Sequence, residues 1–256
     1  MVKSAPKFSK FIIFSMFAIL SIPLLAKELL MLTDDGPPHM IAATKSGIDI
    51  DITREILFDM GHQVKLGFAP LKRTMHQVAN KEADLFLPTF FQQDTTKLFI
   101  SAPIINYQPI AFALKKNRYQ FKEISDLAVV RLVTFQGASG YFGNEFVKLS
   151  KHNGYAELHD MSKLPEMLIK NRCDVVVLDY YIFYYYLQKY LNQNSVDYFA
   201  IEEIERFTLF PEVKAHVGFH DKQLRDKFNR QLRLYKNLGK DKIVINKYIG
   251  AKQAHL

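Results

Sequence analysis

The loop Gly137-Ala138-Ser139-Gly140 stands just ahead of a helical pattern. Such a loop turns backbone N–H groups and a hydroxyl towards one point, which suits an anionic ligand group. Plain capping of the helix by Ser139 uses the same geometry. Asp179 ends the apolar run Val175 to Leu178 and precedes Tyr180 and Tyr181. A carboxylate there either meets a ligand or N-caps the helix that follows. Phe90, Phe91, Tyr107, Phe135 and Tyr141 fall near expected strand ends. Rings so placed can sandwich a flat ligand or hold a cation on their faces, although most aromatic side chains serve the core. His216 and His220 are four apart on an extended segment, a spacing that forms no helical metal pair. The sequence holds no HExxH, no GxSxG and no P-loop pattern, so metal or nucleophilic catalysis has no support in it. The expected chemistry is reversible binding, with neither metal nor cofactor.

The elements that must position these residues alternate short apolar runs with helical periodicity, the mark of an α/β fold with parallel strands. Strands are expected at Leu29–Leu32, Val64–Phe68, Ala83–Leu87, Ile110–Leu114, Arg131–Phe135, Asp174–Leu178, Tyr198–Ile201 and Lys214–Phe219. Helices are expected over Asp49–Met60, from Pro70 to about Lys81, and over Tyr141–Ser150, Leu164–Lys170 and Tyr180–Leu191. A further helix starts at Asp221, with Leu224, Phe228, Leu232 and Tyr235 on one face and Gly239 as its stop, and Lys242–Tyr248 follows. Two α/β units joined by two extended crossings form a hinge and a cleft, where ligands prefer to bind.

The N-terminal segment bears on compartment. Lys3, Lys7 and Lys10 precede a 15-residue apolar run, Phe11 to Leu25, and the small residue Ala26. That order is the pattern of an export signal, and a membrane span needs about 20 apolar residues. A retained anchor is the other reading of the same segment. Without residues 1–26 the chain loses three lysines and no acid, so its formal charge falls from +8 to +5. The remaining Lys and Arg are interspersed with Asp and Glu, which does not suit a nucleic-acid partner. Cys173 is the single cysteine, so no internal disulfide exists, and its place before an apolar strand suits a buried thiol.

Several short motifs together resemble the amino-acid-type periplasmic solute-binding proteins, extracellular solute-binding family 3. Gly47-Ile48-Asp49-Ile50-Asp51-Ile52 is similar to that family's Gly-Phe-Asp-Val-Asp-Leu, and Glu82-Ala83-Asp84-Leu85 to its step into the third strand. Ile100-Ser101-Ala102-Pro103 stands for Phe-Ser-x-Pro, and Arg172 to Asp179 resembles Gly-Arg-x-Asp-Ala-x-x-x-Asp. Leu224 to Tyr248 matches the C-terminal pattern of a helix, a Gly and a Lys-Tyr ending. The resemblance implies a two-lobed type II periplasmic-binding fold with two hinge crossings and an interlobe cleft. Residues 1–26 would be the signal peptide, 27–109 plus 216–256 the first lobe, and 110–215 the second lobe with hinge segments at both ends.

By the same resemblance the protein would be a periplasmic monomer that captures a small polar solute, an amino acid or related compound, for an ABC-type permease. A sensory or accessory role beside a membrane partner, or an enzyme on the same fold, are the other readings. The family's carboxylate-clamping Arg falls on Asp94 here, with Lys97 three places away, which weighs against a free α-amino acid. Arg73, in Pro70-Leu71-Lys72-Arg73, is the substitute cation or else a surface residue of its helix. The resemblance assigns ligand contacts to Asp35 in the first cleft loop, which also holds Asp34 and His39. It assigns others to Thr89, Gly137, Ser139 and to Asp179, which would accept from a ligand ammonium, and the rings of Phe90 and Tyr107 near their strand ends complete the expected site.

Overall fold

A computed structural model describes residues 28–194 and 199–250, and the expected signal segment lies outside the described residues. The strands form two sheets. In the first, β1 (Glu28–Thr33) lies parallel between β2 (Gln63–Phe68) and β3 (Leu85–Thr89). Beyond β3 the order continues with β11 (Val213–Phe219) and then β4 (Phe99–Ile100), while β5 (Ile105–Tyr107) also pairs with β11. The second sheet runs β10 (Ile204–Phe207), β6 (Pro109–Leu114), β9 (Val175–Asp179), β7 (Leu132–Phe135), β8 (Tyr155–Leu158).

Two pairings depart from the parallel expectation: β6 with β9 and β11 with β3 are antiparallel. The reason lies in the connections. Strands β6 and β11 enter their sheets straight from the other sheet, with no crossover helix to set them parallel. Gln108 separates β5 from β6, and residues 208–212 separate β10 from β11, so the chain passes twice between the sheets.

Helices cover the sheets as their apolar stripes require. In α1 (Ile48–Asp59), Ile48, Ile52 and Ile56 are fully buried at i, i+4 and i+8. α7 (Lys222–Asn237) buries Phe228, Leu232 and Tyr235, and Asp221 caps it by accepting from the N–H groups of Gln223 and Leu224. α2 (Leu71–Ala79), α5 (Leu164–Ile169), α6 (Tyr180–Asn194) and α8 (Lys240–Ile249) follow their expected positions closely. Strand β9 is buried along its whole length, as a central strand covered on both faces must be. Cys173, just before it, is also buried, and burial pushes its thiol up to about 12.

Three local differences matter. The helix expected over 141–150 is split into α3 (Ala138–Tyr141) and α4 (Asn144–Leu149), because Gly143 adopts φ 82° between them. Strand β8 has no expected counterpart. The strand expected at Tyr198–Ile201 instead lies at Ile204–Phe207, with a 3-10 turn over Ile201–Glu203, and residue 198 itself is outside the described residues.

Candidate functional site

The site forms where the two sheets meet, and its floor is built on the loop before α1. In that loop the carbonyls of Pro38 and His39 accept from the N–H groups of Ile48 and Asp49, at 2.9 and 3.1 Å. These bonds press the loop against the start of the helix. Gly47 permits the approach, since a Cβ there would stand 2.2 Å from the His39 carbonyl oxygen, and its φ is 146°. The result is a buried imidazole, 1 % exposed, held between two carboxylates.

His39 Nδ1 donates to Asp49 Oδ1 at 2.8 Å, and Nε2 donates to Asp179 Oδ1 at 3.3 Å across the cleft. Burial disfavours the imidazolium, but the Asp49 charge and the hydrogen bonds to Asp179 and Asp49 outweigh it and raise the pKa to about 9. The ring of Tyr107 stacks on His39 with centroids 3.9 Å apart, and its hydroxyl donates to Asp49 Oδ2 at 2.8 Å. Burial and then the Asp49 charge push the Tyr107 phenol well above its ordinary range. Asp34 stands at the end of β1, half-buried, with one carboxylate oxygen buried and unpartnered. Burial raises its pKa, its own backbone opposes the rise, and the Asp35 and Asp49 charges add to it.

Asp179 joins three elements. Its Oδ1 accepts from the N–H groups of Tyr181 and Ile182, capping α6, and its Oδ2 accepts from Gln108 N at 2.7 Å in the first crossing. Both the capping role and a place in the cleft therefore hold for this residue. Above it opens a cavity of about 230 Å3 lined by Phe90, Tyr107, Phe135, Tyr141, Phe142 and Asp179, with Pro109, Met161, Leu178 and Ile182. Phe90 meets Tyr107 edge-on at 5.6 Å, and Phe135 meets Tyr141 at 5.8 Å, so rings from both sheets wall the space. Apart from Asp179, every one of these lining side chains is uncharged.

The remaining expected contacts lie elsewhere. Asp35 is exposed, and its Oδ1 accepts from Ala42 N at 2.9 Å, bracing the first cleft loop. Arg73 is exposed on α2, and that helix faces a neighbouring hollow with Leu71, Lys72, Met75 and His76 instead. Thr89 lines the same hollow, and its hydroxyl accepts from Phe91 N at 3.3 Å. His216 is buried and its Nδ1 meets the Ser101 carbonyl at 2.7 Å. Among the described residues no cluster of His, Cys, Asp or Glu is arranged to hold a metal ion.

Two carboxylates of the chain itself stand at places where the resemblance implies ligand-gripping groups. Asp94, at the position implied for the clamping Arg, receives a two-pronged bond from Arg225, Nη1 to Oδ1 at 2.8 Å and Nη2 to Oδ2 at 3.0 Å. It also accepts from Ile100 N, so it fastens the segment before β4 to α7. At the other side, the N–H groups of Gly137 and Ser139 donate to Oε2 and Oε1 of Glu157 at 2.8 and 3.1 Å. Tyr155 adds its hydroxyl to Oε1 at 2.5 Å. Burial works against that charge, yet the bonds from Tyr155, Gly137 and Ser139 hold the Glu157 carboxyl down at about 2. At this loop the N–H groups of Gly137 and Ser139 are bonded to the chain's own Glu157 carboxylate.

Sequence reasoning gave no role to Glu157, Asp49, Phe142 or Met161. A signal for Glu157 was available: Tyr155 and Glu157 are two apart, which places them on one face of a strand. Using it required recognising β8 in a short polar stretch.

No protein-family model matches the sequence, and no curated protein matches it. Solved structures do match. An ancestral cationic amino acid solute-binding protein superposes with a TM-score of 0.68 at 18 % identity, over 87 % of this chain and 95 % of that one. A polar amino acid ABC uptake transporter substrate-binding protein from Streptococcus thermophilus gives 0.65 at 16 % identity, over 89 % of each chain. The L-cystine solute receptor of Neisseria gonorrhoeae, in its unliganded open conformation, gives 0.64 at 14 % identity, over 91 % and 97 %. With two sheets linked by two crossings and matches that span nearly the full length of those structures, the chain has the two-lobed type II periplasmic-binding fold.

Proposed function

We propose that the protein is an exported solute-binding protein, which captures a small solute in its interlobe cleft and presents it to a membrane permease of the ABC type. The observation that carries this reading is the 230 Å3 cavity, to which Phe90, just after β3, and Tyr107 of β5 contribute from one side, and Phe135 of β7 and Tyr141 of α3 from the other. A ligand held there touches both lobes only when they are closed, and that differential contact shifts the open–closed population. The likeness to solute-binding proteins of uptake systems supports the same reading. Export through the basic and apolar N-terminal segment, a periplasmic location and a monomeric state belong to this proposal. The chemistry is binding without a covalent step.

The test is a thermal-shift screen of the purified, ligand-free protein against amines, amino acids, short peptides and organic acids. A ligand at 100 times its Kd adds about 2.7 kcal/mol to native stability. For a chain of this length that is a rise of about 5–10 °C in the unfolding midpoint. A rise with one chemical class supports solute capture. Equal midpoints across the whole panel overturn it.

A further inference from the structure

Resting on the solute-binding reading, we propose that the cleft selects an organic cation with an apolar or aromatic body and discriminates against ligands bearing an α-carboxylate. Three features of the molecule point to this selectivity.

The first is the wall. Five aromatic rings, Phe90, Tyr107, Phe135, Tyr141 and Phe142, surround the cavity, with the thioether of Met161 beside them. The faces of such rings carry negative charge density and attract a cation, while their bodies cover an apolar skeleton. An anionic group among them would lose its hydration and find no cation, with the Tyr141 hydroxyl as a neutral donor in the wall.

The second is the floor. Asp179 is the charged lining residue, and its Oδ2 carries one hydrogen bond, from Gln108 N. A carboxylate oxygen has two lone pairs, so this oxygen retains capacity to accept from an ammonium. Behind it stand Asp49, which also acts on Tyr107, and Asp34, whose buried oxygen has no partner. Two carboxylates, Asp49 and Asp179, thus share a single imidazolium, His39, and no Lys or Arg lines the cavity.

The third is exclusion. Glu157 occupies the N–H groups of Gly137 and Ser139, so an incoming carboxylate would find those donors spent and a like charge in place. Asp94 lies outside the cavity lining, and its charge is committed to Arg225, so that position brings no cation to the cavity. Arg73, the substitute, is exposed and outside the lining of the cavity. Among the lining residues no cation is present to grip an α-carboxylate, and the Gly137 and Ser139 N–H groups are already bonded to Glu157.

The experiment compares pairs of ligands that differ only by that carboxylate: tyramine with tyrosine, and phenethylamine with phenylalanine, by titration calorimetry on the ligand-free protein. The expected result is an amine at least about tenfold tighter than its amino acid in at least one pair. Amino acids that bind as tightly as the amines, or tighter, overturn the selectivity while leaving solute capture intact. If neither pair binds but a solute without a cationic group from the wider panel does, the cation assignment falls alone. If nothing in the panel binds, the solute-binding reading falls with it. The variants Glu157→Gln, which keeps the shape and removes the charge, and Glu157→Ala, which empties the cradle, give a second readout. Each should narrow the amine-to-amino-acid ratio severalfold by strengthening the amino acid and sparing the amine. A ratio unmoved in both folded variants removes Glu157 as the excluding group and overturns that part of the proposal.

Discussion

His39 Nε2 lies 3.3 Å from Oδ1 of Asp179, 140 residues away along the chain, and this contact joins the cleft loop of the first lobe to the capping carboxylate of the second. The same imidazole holds Asp49 with its other nitrogen, so one positive charge neutralises carboxylates from two lobes in a nearly dry setting. Such a triad stabilises only while all its members are present.

Replacing His39 by Ala or Gln should therefore destabilise the fold by about 3–5 kcal/mol, because two buried carboxylates lose their shared partner. Denaturant unfolding at neutral pH checks this. If the loss were below 1 kcal/mol, the triad would not be buried as described.

The wild-type protein should also lose stability in mild alkali. The His39 pKa is raised from 6.5 to about 9, so its contribution is complete below pH 6.5 and disappears as pH rises through 9. Unfolding midpoints measured from pH 6 to 10 should fall over that window. The His39 variant should lack the part of the slope that His39 supplies.

Glu157 acts at the opposite limb. Its carboxyl is held at about 2 against an ordinary 4.5, so its stabilising effect is present above pH 4.5 and lost as pH falls through 2. A carbon-13 NMR titration of the side-chain carboxyl should show it still ionised at pH 3.5. A midpoint near 4.5 would mean that the Gly137–Ser139 cradle does not hold it.

Gly47→Ala should cost about 2–4 kcal/mol, since a methyl group would overlap the His39 carbonyl and strain the backbone as well. The same change at Gly143, where a Cβ meets nothing within 4 Å, should cost less, because only the φ of 82° opposes it. Comparing the two variants by thermal unfolding separates steric overlap from backbone strain.

Asp94→Asn should weaken the Arg225 pair by about 1–2 kcal/mol, a modest figure because the carboxylate is partly exposed and screened. Amine affinity should be unchanged, since the pair fastens the segment before β4 and lies outside the cavity. A tenfold loss of affinity would instead return this position to the ligand site.

What the sequence made legible follows from how local each signal was. The stripes Ile48–Ile52–Ile56 and Phe228–Leu232–Tyr235 declare their helices because one face of each must be buried. Phe90, Tyr107, Phe135 and Tyr141 could be placed near strand ends by pattern, and all four meet at the cavity. The displaced strand β10 was harder, because Ile204-Glu205-Arg206-Phe207 is only half-buried and its pairing with β6 is long-range. The loop at Gly137 was recognised as an anion seat, but its occupant comes from 20 residues further along, and no local pattern announces the match. Asp179 was foreseen both as a cap and as a site residue. Its link to His39 exists only once both lobes are assembled.

The side chains of Asn106 and Gln108, in and beside the first crossing, donate to Oε2 and Oε1 of Glu212 in the second, at 2.6 and 2.9 Å. Directly beside this carboxylate the same two segments pair as β5 and β11, so the crossings are joined through side chains and backbone alike. A movement of one crossing alone would have to break these bonds.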